Sequence, residues 1–122
     1  MTDIYLHHYP MSPFAEKVRL MLGFKQLTWR SVMVPSVSPK PDVVALTGGY
    51  RKTPFLQLGN DVFCDTALIA DVLELLAPTP SLYPHGNRGL NRVVAQWADQ
   101  QRFWGAMAYN FQPAGVQQLF DG

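Results

Sequence analysis

The stretch "TPFLQLGNDVFCDTALIADVLELLAP", residues 53–78, decides how this chain folds. Phe55 to Leu58 and Val62 to Cys64 flank Gly59-Asn60-Asp61, the composition of a tight turn, and so predict a β-hairpin. Asp65 or Thr66 then opens a run in which Leu68, Ile69, Val72, Leu75 and Leu76 keep a helical period until Pro78 ends it.

The residues upstream supply the remaining elements. Ile4 to His8 are β-prone and bounded by Pro10, which predicts a first strand. In "YPMSPFAEKVRLML", residues 9–22, the side chains of Phe14, Val18, Met21 and Leu22 fall on one helical stripe. Ser12 is a good N-cap, Pro13 suits the first helical position, and Gly23 lies near the stop. Thr28 to Val34 reads as a second strand and Asp42 to Leu46 as a short helix, separated by the turn-forming "PSVSPKPD". The predicted order is β-α-β-α-β-β-α over residues 1–78, an α/β domain. A linker at 79–89, rich in proline, leads to a helical segment at 90–122, where Val93, Trp97, Trp104 and Ala108 share a face from Leu90 to Ala108. A lone amphipathic helix must bury its stripe against something, so either this segment packs back on the first unit or the rest of a helical domain is missing.

Composition narrows the function. Apolar residues are 48% and charged residues 16% of 122, a globular balance, and the formal net charge is +1. Lys and Arg are scattered, which argues against nucleic acid and anionic membranes as partners. No apolar run reaches the length of a spanning helix, and the first ten residues lack a signal-peptide core. With Cys64 as the single cysteine, a cytoplasmic setting is expected. His7, His8 and His85 have no ligand spacing with Cys64 or one another, so no metal site is expected.

Three places could carry chemistry, and each has a plainer reading. Ser12 caps a helix, or its hydroxyl faces a ligand's thiolate at the helix tip, where partial positive charge gathers. The Thr53-Pro54 bond opens a strand in the trans form, or is cis and leaves the Thr53 backbone exposed to an extended peptide ligand. Asp65 and Thr66 cap the following helix, or bind an amino acid's carboxylate and ammonium there. "SPFA" at 12–15 has no cysteine, which removes dithiol exchange, and Cys64 reads as a strand residue rather than a nucleophile.

Taken in order, "SPFAEKVR", "LTGGYRKTPFLQLG", "CDTALIA" and "PSLYP" resemble the N-terminal domain of the soluble glutathione S-transferases, in a serine-class-like form. The resemblance implies a thioredoxin-like α/β domain followed by the start of an all-α C-terminal domain, with only part of the latter present. It implies Ser12 as the catalytic residue beside the glutathione sulfur, Thr53 before a cis Pro54 pairing with the cysteinyl part, and Asp65 with Thr66 holding the γ-glutamyl end. Lys52 and Lys40 are the expected contacts of the glycine carboxylate. Thr66 stands where the family more often has serine, which keeps the hydroxyl. The expected function is glutathione transfer to an apolar electrophile by a homodimer with glutathione as co-substrate. The alternatives are a non-catalytic glutathione-binding or interaction module, or a truncated fragment of the same fold.

Overall fold

The fold is that of a computed structural model, which describes residues 2–35, 41–49 and 52–110. Lys40 lies outside the described residues. The chain divides into two compact units at Leu82/Tyr83.

The first unit holds β1 (Ile4–His8), α1 (Pro13–Phe24), β2 (Arg30–Met33), α2 (Pro41–Thr47), β3 (Phe55–Leu58), β4 (Asp61–Cys64) and α3 (Thr66–Leu76). The four strands form one mixed sheet in the order β2-β1-β3-β4. β1 runs parallel to β2 and antiparallel to β3, and β3 is antiparallel to β4. This is the thioredoxin-like arrangement. The two residues Gly59 and Asn60 join β3 to β4. Of these two only Gly59 has positive φ, at 59°, the pattern of a type II′ hairpin turn.

Side-chain alternation along β1 splits the core. Ile4 and Leu6 point to the face where Val18 and Leu22 of α1 and Ile69 and Leu73 of α3 close over Leu56. His7 points to the other face, stacked on Phe55 at 4.3 Å.

The structure departs from the sequence expectations in three elements. β2 is shorter than Thr28–Val34 because β1 offers it only four partners, Tyr5 to His8, and Trp29 turns in against the core instead. On α3 the stripe is rotated: Ile69, Ala70 and Leu73 are buried, whereas Leu68, Leu75 and Leu76 are exposed. The helix is apolar nearly all round, so its period could not choose the face. In the second unit the expected helix is broken in character, with α4 (Arg88–Trp97) and α5 (Phe103–Asn110) joined by a π-helical segment at Ala98–Arg102. Val93, Trp97, Trp104 and Ala108 are all exposed there. Among the described residues no helix is long and apolar enough to cross a membrane.

One buried charge leaves no mark in the sequence pattern. The Lys25 side chain is 0% exposed, just past the end of α1. Its Nζ lies 2.6 Å from Glu74 Oε1 and donates to the carbonyls of Ala77 and Pro80. Glu74 also accepts from Ser81 Oγ and the Leu82 N–H. An ammonium removed from water survives only if paired, so this cluster ties α1, α3 and residues 77–82 together. Partial burial pushes the Glu74 carboxyl up, but the bonds from Leu82, Lys25 and Ser81 outweigh it and hold the group below its ordinary value.

Lys25→Met is expected to lower stability by about 1–3 kcal/mol, because it removes the buried donor shared by Glu74 and the Ala77 and Pro80 carbonyls. Urea unfolding at pH 7 reads this directly, and an unchanged midpoint would show that the pair contributes nothing. Because the folded Glu74 value is depressed, its stabilisation is present above the unfolded value and is lost as pH falls through the folded one. Glu74→Gln should flatten that acid limb.

Candidate functional site

The sheet register brings three distant segments to one end. His7 pairs with Phe55, so the C-terminal end of β1 lies beside the N-terminal end of β3. Phe55 also pairs with Cys64, which places the end of β4 there as well. The segments that flank these strand ends are Tyr9–Ser12 after β1, Thr53-Pro54 before β3 and Asp65-Thr66 after β4. α1 and α3 therefore both start at this end of the sheet, side by side, with their free N–H groups and partial positive charge.

Ser12 is the N-cap of α1. Its Oγ accepts from the Ala15 N–H at 3.1 Å, and its own N–H donates to the Tyr9 carbonyl at 3.2 Å. Capping uses an oxygen lone pair, which leaves the hydroxyl proton to donate elsewhere. Ser12 is only 2% exposed, so water competes weakly for that proton, and an incoming sulfur must displace what covers it.

The Thr53-Pro54 bond is cis, as the resemblance implied. Pro54 is buried at the start of β3, and Thr53 is half-buried. The Thr53 Oγ1 is shielded from solvent without a hydrogen-bond partner. Lys52 is exposed beside it.

Asp65 caps α3, its Oδ1 accepting from the Ala67 N–H at 3.3 Å, while Thr66 is buried as the first helical residue. Asp65 is held at φ 77°, ψ 128°, a region that non-glycine residues rarely occupy. The Asp65 side chain remains exposed. A carboxylate kept at the sheet end in a strained conformation is an arrangement suited to a cationic ligand group.

The structure thus brings Ser12, Thr53, Pro54, Asp65 and Thr66 to one end of the sheet, with Lys52 adjoining Thr53. It also adds residues the sequence reading set aside. His8 is 4% exposed beneath α1, where the Arg19 Nη1 approaches its Nδ1 at 2.8 Å and Ser31 Oγ its Nε2 at 2.6 Å. No ligand-spacing rule would find a histidine paired this way. Burial, the Arg19 charge and His7 together push the His8 imidazole below its ordinary value. Burial pushes the Cys64 thiol up, away from the reactive thiolate. Among the described residues no group of three His, Cys, Asp or Glu side chains could hold a metal ion.

Comparison with known proteins bears on this geometry. The N-terminal domain of the glutathione S-transferases, as a family, matches residues 6–81. A crystal structure of a GST-like protein from Pseudomonas syringae is 53% identical, with a TM-score of 0.86, and the match covers 99% of this chain and 45% of that one. A glutathione transferase homologue from Burkholderia, solved with bound glutathione, is 25% identical with a TM-score of 0.67, over 80% of this chain and 54% of that one. FtsZ-localized protein A of Caulobacter vibrioides is 28% identical over 101 residues, 79% of this chain and 44% of that protein. The chain spans about half the length of these relatives.

Two substitutions separate the capping duties from the strain. Ser12→Ala should cost about 1 kcal/mol through the lost cap. Asp65→Gly should be neutral or stabilising, because glycine relieves a positive-φ penalty of about 1–2 kcal/mol and remains a tolerable N-cap. Thermal unfolding compares both with the parent. A large loss of stability in Asp65→Gly would show that the conformation is not strained.

Proposed function

The chain belongs to the glutathione S-transferase N-terminal domain family, and from that premise we propose that it binds glutathione, stabilises its thiolate with Ser12 and transfers the sulfur to an apolar electrophile. The observation that carries this reading is the convergence of two capped helix tips and the Thr53-Pro54 entry to β3 at one sheet end. A relative of the same fold holds glutathione.

In this reading the tripeptide lies extended across the sheet end. The Thr53 backbone pairs with the cysteinyl residue, and the tip of α3 receives the γ-glutamyl carboxylate. Asp65 accepts from the α-ammonium through its uncommitted oxygen. Lys52 and Lys40 are the cations for the glycine carboxylate.

Magnitudes favour Ser12 as a stabiliser rather than a base. A thiol of pKa about 8.5 is only about 3% thiolate at pH 7. Lowering it by about two units needs roughly 2.7 kcal/mol. A hydrogen bond to a charged group supplies about 1.5–3 kcal/mol, and a helix N-terminus about 0.3–1. The two together suffice, so Ser12 donates to the sulfur and keeps its proton. The family setting extends the proposal to a cytoplasmic homodimer in which the exposed apolar side chains of α4 and α5 provide the contact.

A second reading has its own support. The 28% identity to a protein named for its localisation with FtsZ favours a glutathione-binding or interaction module that does not turn over substrate.

Calorimetric titration of glutathione near pH 7, in two buffers of different ionisation enthalpy, distinguishes the readings. Transfer chemistry predicts binding with net proton release, and a release at least tenfold smaller in Ser12→Ala at equal occupancy. Binding without release supports a non-catalytic glutathione-binding module, and no binding overturns glutathione binding in either reading.

A further inference from the structure

The hydrogen bonds around His8 fix its state. A guanidinium has no acceptor, so Arg19 Nη1 must donate to His8 Nδ1. Nδ1 is then unprotonated, and the neutral ring carries its proton on Nε2, donated to Ser31 Oγ. The same guanidinium reaches in two further directions. Its Nη2 donates to the Pro10 carbonyl at 3.1 Å, and its Nε bonds Glu16 Oε2 at 2.8 Å.

Pro10 lies in the turn whose next bond, from the Ser12 N–H to the Tyr9 carbonyl, sets the Ser12 cap. Arg19 therefore bridges the strand below α1 and the loop that carries Ser12. The Arg19 side chain is 18% exposed; its bond to His8 is partly buried, whereas those to the Pro10 carbonyl and Glu16 are open to solvent. The charged and titratable groups around His8 are Arg19, with Glu16 behind it, from α1, and His7 from β1. β2 contributes the Ser31 hydroxyl, and Trp29 meets the ring edge-on at 5.5 Å.

We propose that Arg19, seated on neutral His8, is the positioning residue for the loop that carries Ser12, and that a proton on His8 releases that loop. A second proton can go only to Nδ1, where it meets the guanidinium N–H. The hydrogen bond is lost and two cations face each other across the same gap, in a partly buried site where water screens them less than in bulk. Glu16 is exposed and pairs with Arg19 from the far side, so it draws the guanidinium away from the ring. Arg19 then swings outward, and the Pro10 carbonyl loses its donor. The depressed basicity of His8 agrees with this, since the folded network holds only while the ring is neutral. Its stabilisation is accordingly present above about pH 6.5 and is lost as pH falls through the lower, folded value.

The consequence for ligand binding rests on the reading of Ser12 given above, whereas the loop coupling does not. Nuclear magnetic resonance of the ligand-free chain tests the coupling. The Ser12 and Ala15 amides are expected to titrate with the His8 ring, at one midpoint below 6.5. In His8→Asn, whose Oδ1 still accepts from Arg19 but takes no proton, that response should vanish. Amides that stay flat through the His8 titration, or titrate unchanged in His8→Asn, overturn the proposal. Should that variant not fold, Arg19→Gln serves instead: both amides should be displaced at neutral pH and insensitive to acid, and a parental spectrum overturns the idea. S-methylglutathione, which has no thiol to ionise, then reports the site. Its affinity should fall about tenfold between pH 7.5 and 5.5, the size of one charge-assisted hydrogen bond. Coupled amides with no binding at pH 7.5 would leave the positioning role standing and sink the glutathione reading.

Discussion

β1 is hydrogen-bonded along both edges, and all but one of its five side chains are buried. Five residues cannot satisfy that constraint alone, so the chain must return twice: β2 alongside in parallel and β3 in the opposite sense. The parallel return needs a crossover, which α1 provides, and the antiparallel return brings a hairpin with it. Once β1 is the inner strand, its exit, the entry to β3 and the exit from β4 have no choice but to meet at one end. The candidate site is a by-product of pairing a central strand on both sides.

α1 is then held from both sides by buried polar groups of opposite character, one charged and one neutral. At its far end Lys25 is a cation that has found an anion and two carbonyls, and the Glu74 cluster holds residues 77–82 against the helix. At its near end His8 avoids charge altogether and lets Arg19 supply it. The first arrangement gives way only in acid, because its hydrogen bonds hold the Glu74 carboxyl below its ordinary value. The second sits close to the pH at which an imidazole changes state. A helix pinned rigidly at one end and conditionally at the other is able to move its N-terminal loop without unfolding its core.

Much of this was legible in the sequence where the chemistry is local. The hairpin follows from Gly59-Asn60 between apolar runs, the start of α1 from Ser12-Pro13, and the start of α3 from Asp65-Thr66, all decided within four residues of chain. What was not legible depends on partners far along the chain. Lys25 reaches carbonyls 52 and 55 residues away, and His8 is defined by Ser31 and Arg19, 23 and 11 residues away. The inward face of α3 was misjudged because Leu68, Leu75 and Leu76 are as apolar as Ile69 and Leu73, so only packing on β1 and α1 separates them. The glutathione roles proposed for Ser12 and Asp65 come only through the family pattern, because a capping serine and a capping aspartate look the same whether or not a ligand arrives.

That ambiguity dissolves once the atoms are counted. Capping and ligand binding compete only if they need the same lone pair or the same proton, and here they do not. Ser12 spends a lone pair on the Ala15 N–H and keeps its proton, while Asp65 spends Oδ1 on the Ala67 N–H and keeps Oδ2. The cap also fixes each side chain's orientation, so a ligand would meet a donor and an acceptor whose rotamer entropy has already been lost. The two residues differ in what holding that pose costs. Ser12 sits in ordinary extended backbone at φ −72°, whereas Asp65 is held at φ 77°, where glycine would be the relaxed choice. Capping and the helix dipole offset only part of the strain of an aspartate at position 65, and a cationic group on a bound ligand would supply a further reason for its carboxylate.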